Sequence, residues 1–284
     1  MEEKILKMYA DGISLTKIGN TLNISRWKAT KIVRENGIEI VNKQNLLRVR
    51  EDLFQTIETE EDAYWLGFIY ADGYISDGGE FELSLKSTDS GHLHKFAKFI
   101  NYTGNIVDKQ PVKCKGKTYY RCRLAFRAKS LSQRFSDLGI VPRKSCILTY
   151  PKYLKEELHK HFIRGYTDGD GSFNLYTYKQ KELNKRNGKP RLDLLDFRYA
   201  LKGTKDVLLN IQKIFNINTK LFDRHRNQCS YSFNTGGRHR VINILNYLYQ
   251  DSTIHLDRKY EIYQKIAVHQ GNLKNYYCGI KQGG

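Results

Sequence analysis

Two stretches of the chain share an apolar, helix-like pattern that ends in aspartate followed by glycine. The first runs from Tyr64 to Ile75 and the second from His161 to Phe173. In each, apolar residues fill about three helical turns before the pattern stops, and glycine is the usual residue just past a helix end. The pattern therefore predicts two helices whose last turns carry Asp72 and Asp170.

Small residues lie four positions apart on each of these two predicted helices. Such residues share one helix face and would let two backbones approach closely. We therefore expect the helices to pack together and to bring both carboxylates near each other, where the helix dipoles and the like charge disfavour ionisation. A divalent cation would relieve both penalties, although turn chemistry and core packing alone could also give this pattern. The small residues are Gly67 and Ala71, then Gly165 and Gly169.

Strand-like alternation follows the first helix. Residues 81, 83 and 85 are predicted to face a core while Lys86 faces out, and residues 93–100 have the spacing of a helix over that sheet. A second alternation, over residues 119–127, buries Tyr120, Cys122, Leu124 and Phe126. A solvated antiparallel face is the alternative, but such faces are seldom so one-sidedly basic, so we expect this one to contact a DNA backbone and base edges. Its open side carries Tyr119, Arg121, Arg123 and Arg127.

The second half of the chain repeats the first. Leu-Lys-x-Thr at residues 85–88 recurs at 201–204, and Arg-Lys at 143–144 recurs at 258–259. The distance from the strand lysine to the later Arg-Lys agrees to within one residue, which chance similarity would not preserve. Residues 179–191 are an insertion with the composition of a mobile basic loop. The second sheet face is predicted to carry less charge, with Arg198, Lys202, Gln228, Ser230 and Ser232 toward DNA. Unlike halves should read an asymmetric, imperfectly palindromic site.

Residues 1–45 predict three short helices, with Ser14 and Ser25 as N-caps of the second and third. The pattern resembles the helix-turn-helix of site-specific recombinases and small repressors. A helical hairpin with a solvated basic face is the less favoured alternative. The outward face of the predicted recognition helix carries Arg26, Trp27, Lys28, Thr30, Lys31 and Arg34.

The charge of the chain predicts an anionic partner. The 284 residues carry a net charge of +18 and a pI near 9.5, which favours nucleic acid, although an acidic membrane surface would also fit. No apolar run approaches the roughly 20 residues of a membrane span, and the start lacks the apolar region of a signal peptide. Five cysteines without a Cys-x-x-Cys pair indicate neither a disulfide framework nor a zinc site. We therefore expect a cytoplasmic protein with access to the nucleoid, with an organellar or phage origin as an alternative.

With both motifs, the alternation and the spacing in view, residues 57–270 resemble the LAGLIDADG homing endonucleases in their single-chain, two-repeat form. The resemblance implies an α+β fold of two pseudo-symmetric αββαββα repeats whose sheets form a DNA-binding saddle, with the motif helices at the interface between repeats. The expected organisation is a small all-α helix-turn-helix domain at 1–45, a linker at 46–56, repeats at 57–155 and 156–270, and a C-terminal tail at 271–284.

The resemblance also assigns the candidate chemistry. Asp72 and Asp170 match the metal-binding acid of the motif, with Mg²⁺ as the expected cofactor, and Lys144 and Lys259 match the basic residue that each repeat contributes. It implies a monomer that cleaves both strands of double-stranded DNA and leaves 3′ overhangs. A non-cleaving regulator and an intron RNA maturase on the same fold remain the alternatives.

Overall fold

The structure is a computed structural model that describes residues 1–38, 40, 49–127, 131–178, 194–223 and 229–280. The chain divides into two compact units, residues 1–46 and 47–284. In the described part of the chain, no helix has both the length and the apolar character that a membrane span requires.

The first unit is a cluster of three helices, α1 (Glu2–Ala10), α2 (Leu15–Leu22) and α3 (Arg26–Glu35). Ser14 and Ser25 cap the second and third helices, because their hydroxyls accept hydrogen bonds from the backbone of Lys17 and Lys28. The turn between α2 and α3 is short, and a side chain at Gly19 would lie 2.8 Å from the carbonyl oxygen of Ile24. The unit closes on a small core of Ile5, Leu15, Ile18, Ala29 and Val33.

The second unit begins with an αββαββα repeat. Its elements are α4 (Glu60–Asp72), β1 (Gly73–Ile75), β2 (Glu80–Lys86), α5 (Ser90–Phe99), β3 (Val107–Cys114), β4 (Lys117–Arg127) and α6 (Ser132–Asp137). The strands form an antiparallel sheet in the order β1-β2-β4-β3.

A second repeat follows with the same order of elements. They are α7 (His159–Asp170), β5 (Gly171–Tyr178), β6 (Leu194–Gly203), α8 (Lys205–Ile214), β7 (Phe222–Asp223), β8 (Tyr231–Gly236) and α9 (Arg238–Tyr249), after which comes α10 (Asp257–Ile280). The sheet order β5-β6-β8-β7 repeats the topology of the first sheet. The predicted fold of two αββαββα repeats is therefore confirmed.

The motif helices α4 and α7 pack backbone to backbone. A Cβ atom built at Gly67 would lie 2.0 Å from the carbonyl oxygen of Phe162, and one built at Gly165 would lie 1.9 Å from that of Tyr64. One turn further on, a Cβ at Gly169 would lie 2.3 Å from that of Ala71. All four small residues of the predicted pattern therefore lie between the two helices.

The glycines that follow the motif helices have a backbone conformation different from the one we expected. Gly73 and Gly171 are extended, with φ of −68° and −89°, rather than in the left-handed conformation of a usual glycine cap. A Cβ at Gly73 would lie 2.7 Å from the carbonyl oxygen of Ile69, and one at Gly171 would lie 2.6 Å from that of Thr167. A residue with a side chain would clash at these two positions, because each strand begins in close contact with the last turn of the preceding helix.

Two further sequence expectations were wrong. Tyr120 was expected in the core but is 45% exposed, because the first four residues of β4 extend beyond the core. Lys109 Nζ lies 4.6 Å from the centre of its ring. Cys146 and Cys229 form a disulfide, although the cysteine pattern gave no sign of one. They are 83 residues apart in different repeats, so only the fold brings them together.

Candidate functional site

Asp72 and Asp170 end α4 and α7 at the same end of the helix pair. The Oδ2 atom of Asp72 lies 3.3 Å from the position that a Cβ at Gly169 would occupy. Burial, followed by the charge of Asp72, raises the pKa of Asp170 to about 6. Burial also raises the pKa of Asp72, against the opposing charges of Lys259 and Lys144. Desolvation is thus the largest cause, ahead of the like charge invoked from the sequence.

Lys144 and Lys259 are buried beneath the ends of these helices. Lys144 Nζ donates to the carbonyl oxygens of Tyr70 at 2.8 Å and Ala71 at 3.5 Å. Lys259 Nζ donates to the carbonyl oxygens of three residues, Thr167, Asp168 and Gly171, the last two at 2.7 Å. Each lysine therefore binds carbonyl groups at the end of its own motif helix, and those of Tyr70, Ala71 and Asp168 are among the last carbonyls, which the helix leaves without helical partners.

For each predicted aspartate, the strongest positive charge comes from the lysine of the other repeat. Lys259 is the strongest opposing charge for Asp72, whereas Lys144 is the strongest for Asp170. Burial lowers the pKa of both lysines to about 8. Each lysine thus caps the helix of its own repeat while lending positive charge to the acid of the other. The catalytic roles of all four residues stay predictions.

A cavity of about 240 Å³ lies beside Asp170. Lys144, Lys202 and Ser230 line it together with this carboxylate. The cavity thus joins one predicted acid to two residues expected to face DNA, and its positive charge suits a phosphate group.

The donor set around the acids fits Mg²⁺. In the described part of the chain, no group of three or more His, Cys, Asp or Glu residues is arranged to hold a metal. Mg²⁺ is commonly held by one or two carboxylates, with water and substrate phosphate oxygens completing its shell. The carboxylates of Asp72, which is exposed, and Asp170, which is half-buried, are hard oxygen donors of that kind and are accessible to a cation.

The first sheet face is less basic than its arginines suggested. Lys86, Tyr119 and Arg127 are exposed as expected. Arg121 and Arg123, however, form ion pairs with two glutamates on the neighbouring strand. Glu82 lies 3.4 Å from Arg121 and 2.7 Å from Arg123, and Glu80 lies 3.4 Å from Arg123. The hydrogen bond that Arg123 donates to the Glu82 carboxylate raises the pKa of Arg123. The expectation of a one-sidedly basic face was wrong, because β2 places carboxylates on the same side.

The second sheet face presents a mixed set of residues. Lys202 is exposed, and Arg198 binds Asp196 at 3.0 Å with its guanidinium 5.6 Å from the centre of the Tyr176 ring. Ser232, expected to face DNA, is only 8% exposed. Ser232 lies between two strands, since it pairs with Lys202 on β6 and with Phe222 on β7. Gln228 and the 179–191 insertion lie outside the described residues.

In the helical unit, the predicted outward face of α3 is solvent-accessible. Trp27 is 71% exposed, with Lys31 Nζ 5.6 Å from the centre of its ring. Thr30 is half-buried, and its hydroxyl donates to the carbonyl oxygen of Arg26 at 2.8 Å. Lys28 and Arg34 are exposed. The DNA-reading role of this unit stays a prediction.

Sequence reasoning missed a buried polar network between the repeats. The Asp168 carboxylate, 1% exposed, accepts hydrogen bonds from Tyr64 at 2.7 Å, Tyr249 at 2.6 Å and the backbone of Leu256 at 2.8 Å. This network positions the segment that leads to Lys259. A carboxylate within the motif helix, two residues before the predicted acid, was the available signal.

Arg164 forms the other half of the network. It is 1% exposed and donates to the carbonyl oxygens of Leu248 and Ile254, both at 2.9 Å, and to Glu60 Oε1 at 2.6 Å. The Glu60 oxygen also accepts from the backbone of Thr253 at 2.9 Å. Arg164 therefore ties the start of α4 to the segment after α9.

The fold and the paired acids define a two-repeat α+β protein in which each repeat supplies one helix and one carboxylate to a shared centre. Residues 163–268 match the family model described as LAGLIDADG endonuclease. No curated protein matches the chain. The second repeat therefore matches the LAGLIDADG endonuclease family model, and the first repeat has the same order of elements and the same sheet topology.

Three solved structures are similar to the chain in fold. The meganuclease I-SmaMI bound to uncleaveable DNA has 14% identity and a TM-score of 0.50, covering 78% of this chain and 92% of that one. I-LtrWI bound to target DNA has 12% identity and a TM-score of 0.51, covering 76% and 92%. I-GzeII in complex with its DNA target has 14% identity and a TM-score of 0.50, covering 76% and 91%. At these identities the similarity supports the fold.

Proposed function

We propose that this protein is a site-specific endonuclease that hydrolyses both strands of double-stranded DNA with Mg²⁺. The observation that carries the proposal is the pair of aspartates, Asp72 and Asp170, at the same ends of two helices in backbone contact. The similar structures I-SmaMI, I-LtrWI and I-GzeII are each bound to DNA, which supports the same partner here.

Each aspartate would act on one strand. Asp72 and Asp170 would hold Mg²⁺, which when bound activates water and stabilises the leaving oxygen. With a pKa of about 6, Asp170 is mostly ionised at neutral pH and so able to bind the cation. Lys144 and Lys259, each held by backbone carbonyls, would lend positive charge to the scissile phosphates from fixed positions. Cleavage would leave short 3′ overhangs.

The two sheets would hold the DNA along its major groove, with unlike faces reading the two halves of a long, asymmetric site. The helical unit would extend recognition through the exposed face of α3. We further propose that the protein acts as a monomer in a compartment where it reaches chromosomal DNA, since one chain carries both acids.

One observation favours a second function. Lys259 Nζ donates to three backbone carbonyls, so all three ammonium protons are used in capping α7. A lysine occupied in this way could support the fold without assisting the chemistry. A non-cleaving, sequence-specific DNA-binding regulator is therefore the alternative function.

A cleavage selection separates the two functions. The full chain is incubated with a randomised duplex library in Mg²⁺, and in parallel in Ca²⁺ as a binding selection. We expect cleavage at one long, pseudo-palindromic site. Selective binding without cleavage would instead establish the regulator, and selectivity for structured RNA alone would point to a maturase.

Variants of the acids then test their roles on a supercoiled plasmid that carries the selected site. We expect Asp72→Asn and Asp170→Asn each to bind the site but to cut a single strand, so that nicked circles accumulate. Asp137→Asn, the same change at an exposed position on α6, should cut both strands as the natural protein does. Linear product at an undiminished rate from either acid variant would refute the assignment.

A further inference from the structure

The centre of the first sheet face carries two arginines and two glutamates in direct contact. Glu82 lies on β2, and Arg121 and Arg123 lie on the neighbouring strand β4. The Glu82 carboxylate receives Arg123 Nε at 2.7 Å on one oxygen and Arg121 Nη1 at 3.4 Å on the other. Glu82 is therefore shared by both guanidinium groups.

Two further contacts fix the orientation of these arginines. Arg121 Nε donates to Gln110 Oε1 at 3.1 Å, and Arg123 Nη2 lies 3.4 Å from Glu80 Oε1. A guanidinium has five N–H donors, so a group held on one side by carboxylates still presents donors on its other side. Arg121 and Arg123 are 39% and 32% exposed, which leaves that other side accessible.

Stability alone gives a weak reason for this arrangement. Ion pairs exposed to this degree are worth about 0–1 kcal/mol each. On a face that binds DNA they also carry a cost, since two carboxylates oppose the phosphate backbone. The pairs cancel the charge at the centre of the face, while Lys86, Lys117 and Arg127 on the same two strands are exposed around it. Nonspecific affinity depends mainly on unpaired cations, so this pattern lowers it.

We propose that Glu82 is a specificity-determining residue, which holds Arg121 and Arg123 for guanine edges in the major groove and withholds them from phosphates. A positioned guanidinium can donate to both O6 and N7 of guanine, which is the commonest specific contact in that groove. The inference rests on the proposed function, because it requires this sheet to lie on DNA. It predicts guanines in the half of the site that the first repeat reads.

Glu82→Gln tests this role, because it removes the charge and keeps the shape. Binding of the full chain to its selected site and to a random duplex is measured in Ca²⁺ at several salt concentrations. We expect the variant to bind random duplex about 3- to 10-fold more tightly, with a salt slope steeper by about one to two. The ratio of specific to random affinity should fall about tenfold, and a repeated selection should show a weaker guanine preference in that half-site.

Two further variants make the test decisive. Glu61→Gln removes the same charge at the start of α4, far along the helix from Asp72, and should leave the ratio unchanged. Glu80→Gln frees only Arg123 and should show a smaller effect in the same direction, which covers the case in which Glu82→Gln folds poorly. If Glu82→Gln and Glu80→Gln both leave the affinity ratio and the salt slope unchanged, the inference is overturned while the proposed function stands. A natural protein that does not distinguish its site from random DNA would overturn both.

Discussion

Substituting Gly165 by alanine should part the two motif helices. A Cβ at this position would lie 1.9 Å from the carbonyl oxygen of Tyr64 and 2.9 Å from the backbone nitrogen of Phe68. Ordinary contact for a Cβ begins near 3.4 Å, so the helices would have to separate by about 1.5 Å. Both obstructing atoms belong to the backbone, so no side-chain rotation can relieve the overlap.

The cost can be placed at the upper end of known overpacking penalties. Inserting a methyl group into a well-packed core typically costs about 1–3 kcal/mol. Alanine in place of a helical glycine returns about 1 kcal/mol of helix propensity. Because the contact here is rigid, the upper value of about 3 kcal/mol applies, and we expect Gly165→Ala to lower the free energy of unfolding by about 2 kcal/mol net. For an m-value near 3 kcal/mol/M, the urea midpoint would fall by about 0.7 M.

Urea titration followed by the fluorescence of Trp65 provides the assay. Trp65 is fully buried on α4, whereas the other tryptophan, Trp27, is 71% exposed in the helical unit. The matched control is Gly91→Ala in α5, where an added Cβ meets nothing within 4 Å, so a small gain in stability is expected. Equal midpoints for Gly165→Ala and the natural protein, at the same m-value, would refute the reasoning.

Gly165→Ala should also lower the rate of DNA cleavage under conditions in which the variant is still folded. Gly165 lies on the helix that carries Asp170, so a separation of the helices moves the two carboxylates apart. A misplacement of about 1 Å in a catalytic arrangement can cost roughly 100-fold in rate. Cleavage by the folded variant, measured below its unfolding range, should therefore fall by about that factor, and an unchanged rate would contradict the proposed site.

Two other predictions concern pH and redox state. Folding raises the pKa of Asp170 from 3.8 to about 6, so the free energy of unfolding falls as pH rises through that window. Above pH 6, denaturant titrations should show Asp170→Asn to be more stable than the natural protein by about 3 kcal/mol. This difference should disappear below pH 4. A pH-independent gap would contradict this. Reducing the Cys146–Cys229 disulfide, which closes an 83-residue separation, should cost about 2–4 kcal/mol, as should Cys229→Ser, whereas Cys114→Ser should have no effect. Equal midpoints with and without a dithiol would contradict that.

The sequence predicted those parts of the fold that local patterns encode. The apolar runs before Asp72 and Asp170 became α4 and α7, and the alternation at residues 81–85 became the buried side of β2. Repetition of these patterns with the same spacing was enough to predict two αββαββα repeats. The N-caps Ser14 and Ser25 were also predicted correctly, since an N-cap involves only neighbouring residues.

Contacts between distant segments were not readable from the sequence. The glutamates that bind Arg121 and Arg123 come from another strand, and their positions depend on the register of β2 against β4. The carbonyl groups that receive Lys144 and Lys259 belong to helices far away in sequence. An alternating pattern shows which side of a strand is open, but it does not show which charges meet there.

The two repeats are more similar in their contacts than in their residue identities, as one pair of equivalent positions shows. Tyr70 and Asp168 occupy the same place in the two motif helices, two residues before the predicted acid. The Tyr70 hydroxyl donates to the carbonyl oxygen of Leu138, and the Asp168 carboxylate accepts from the backbone of Leu256. Donor and acceptor are exchanged, yet each contact fixes its motif helix to the segment that leads to the lysine of the same repeat. The repeats have therefore kept the placement of the lysines while the residues that secure it diverged.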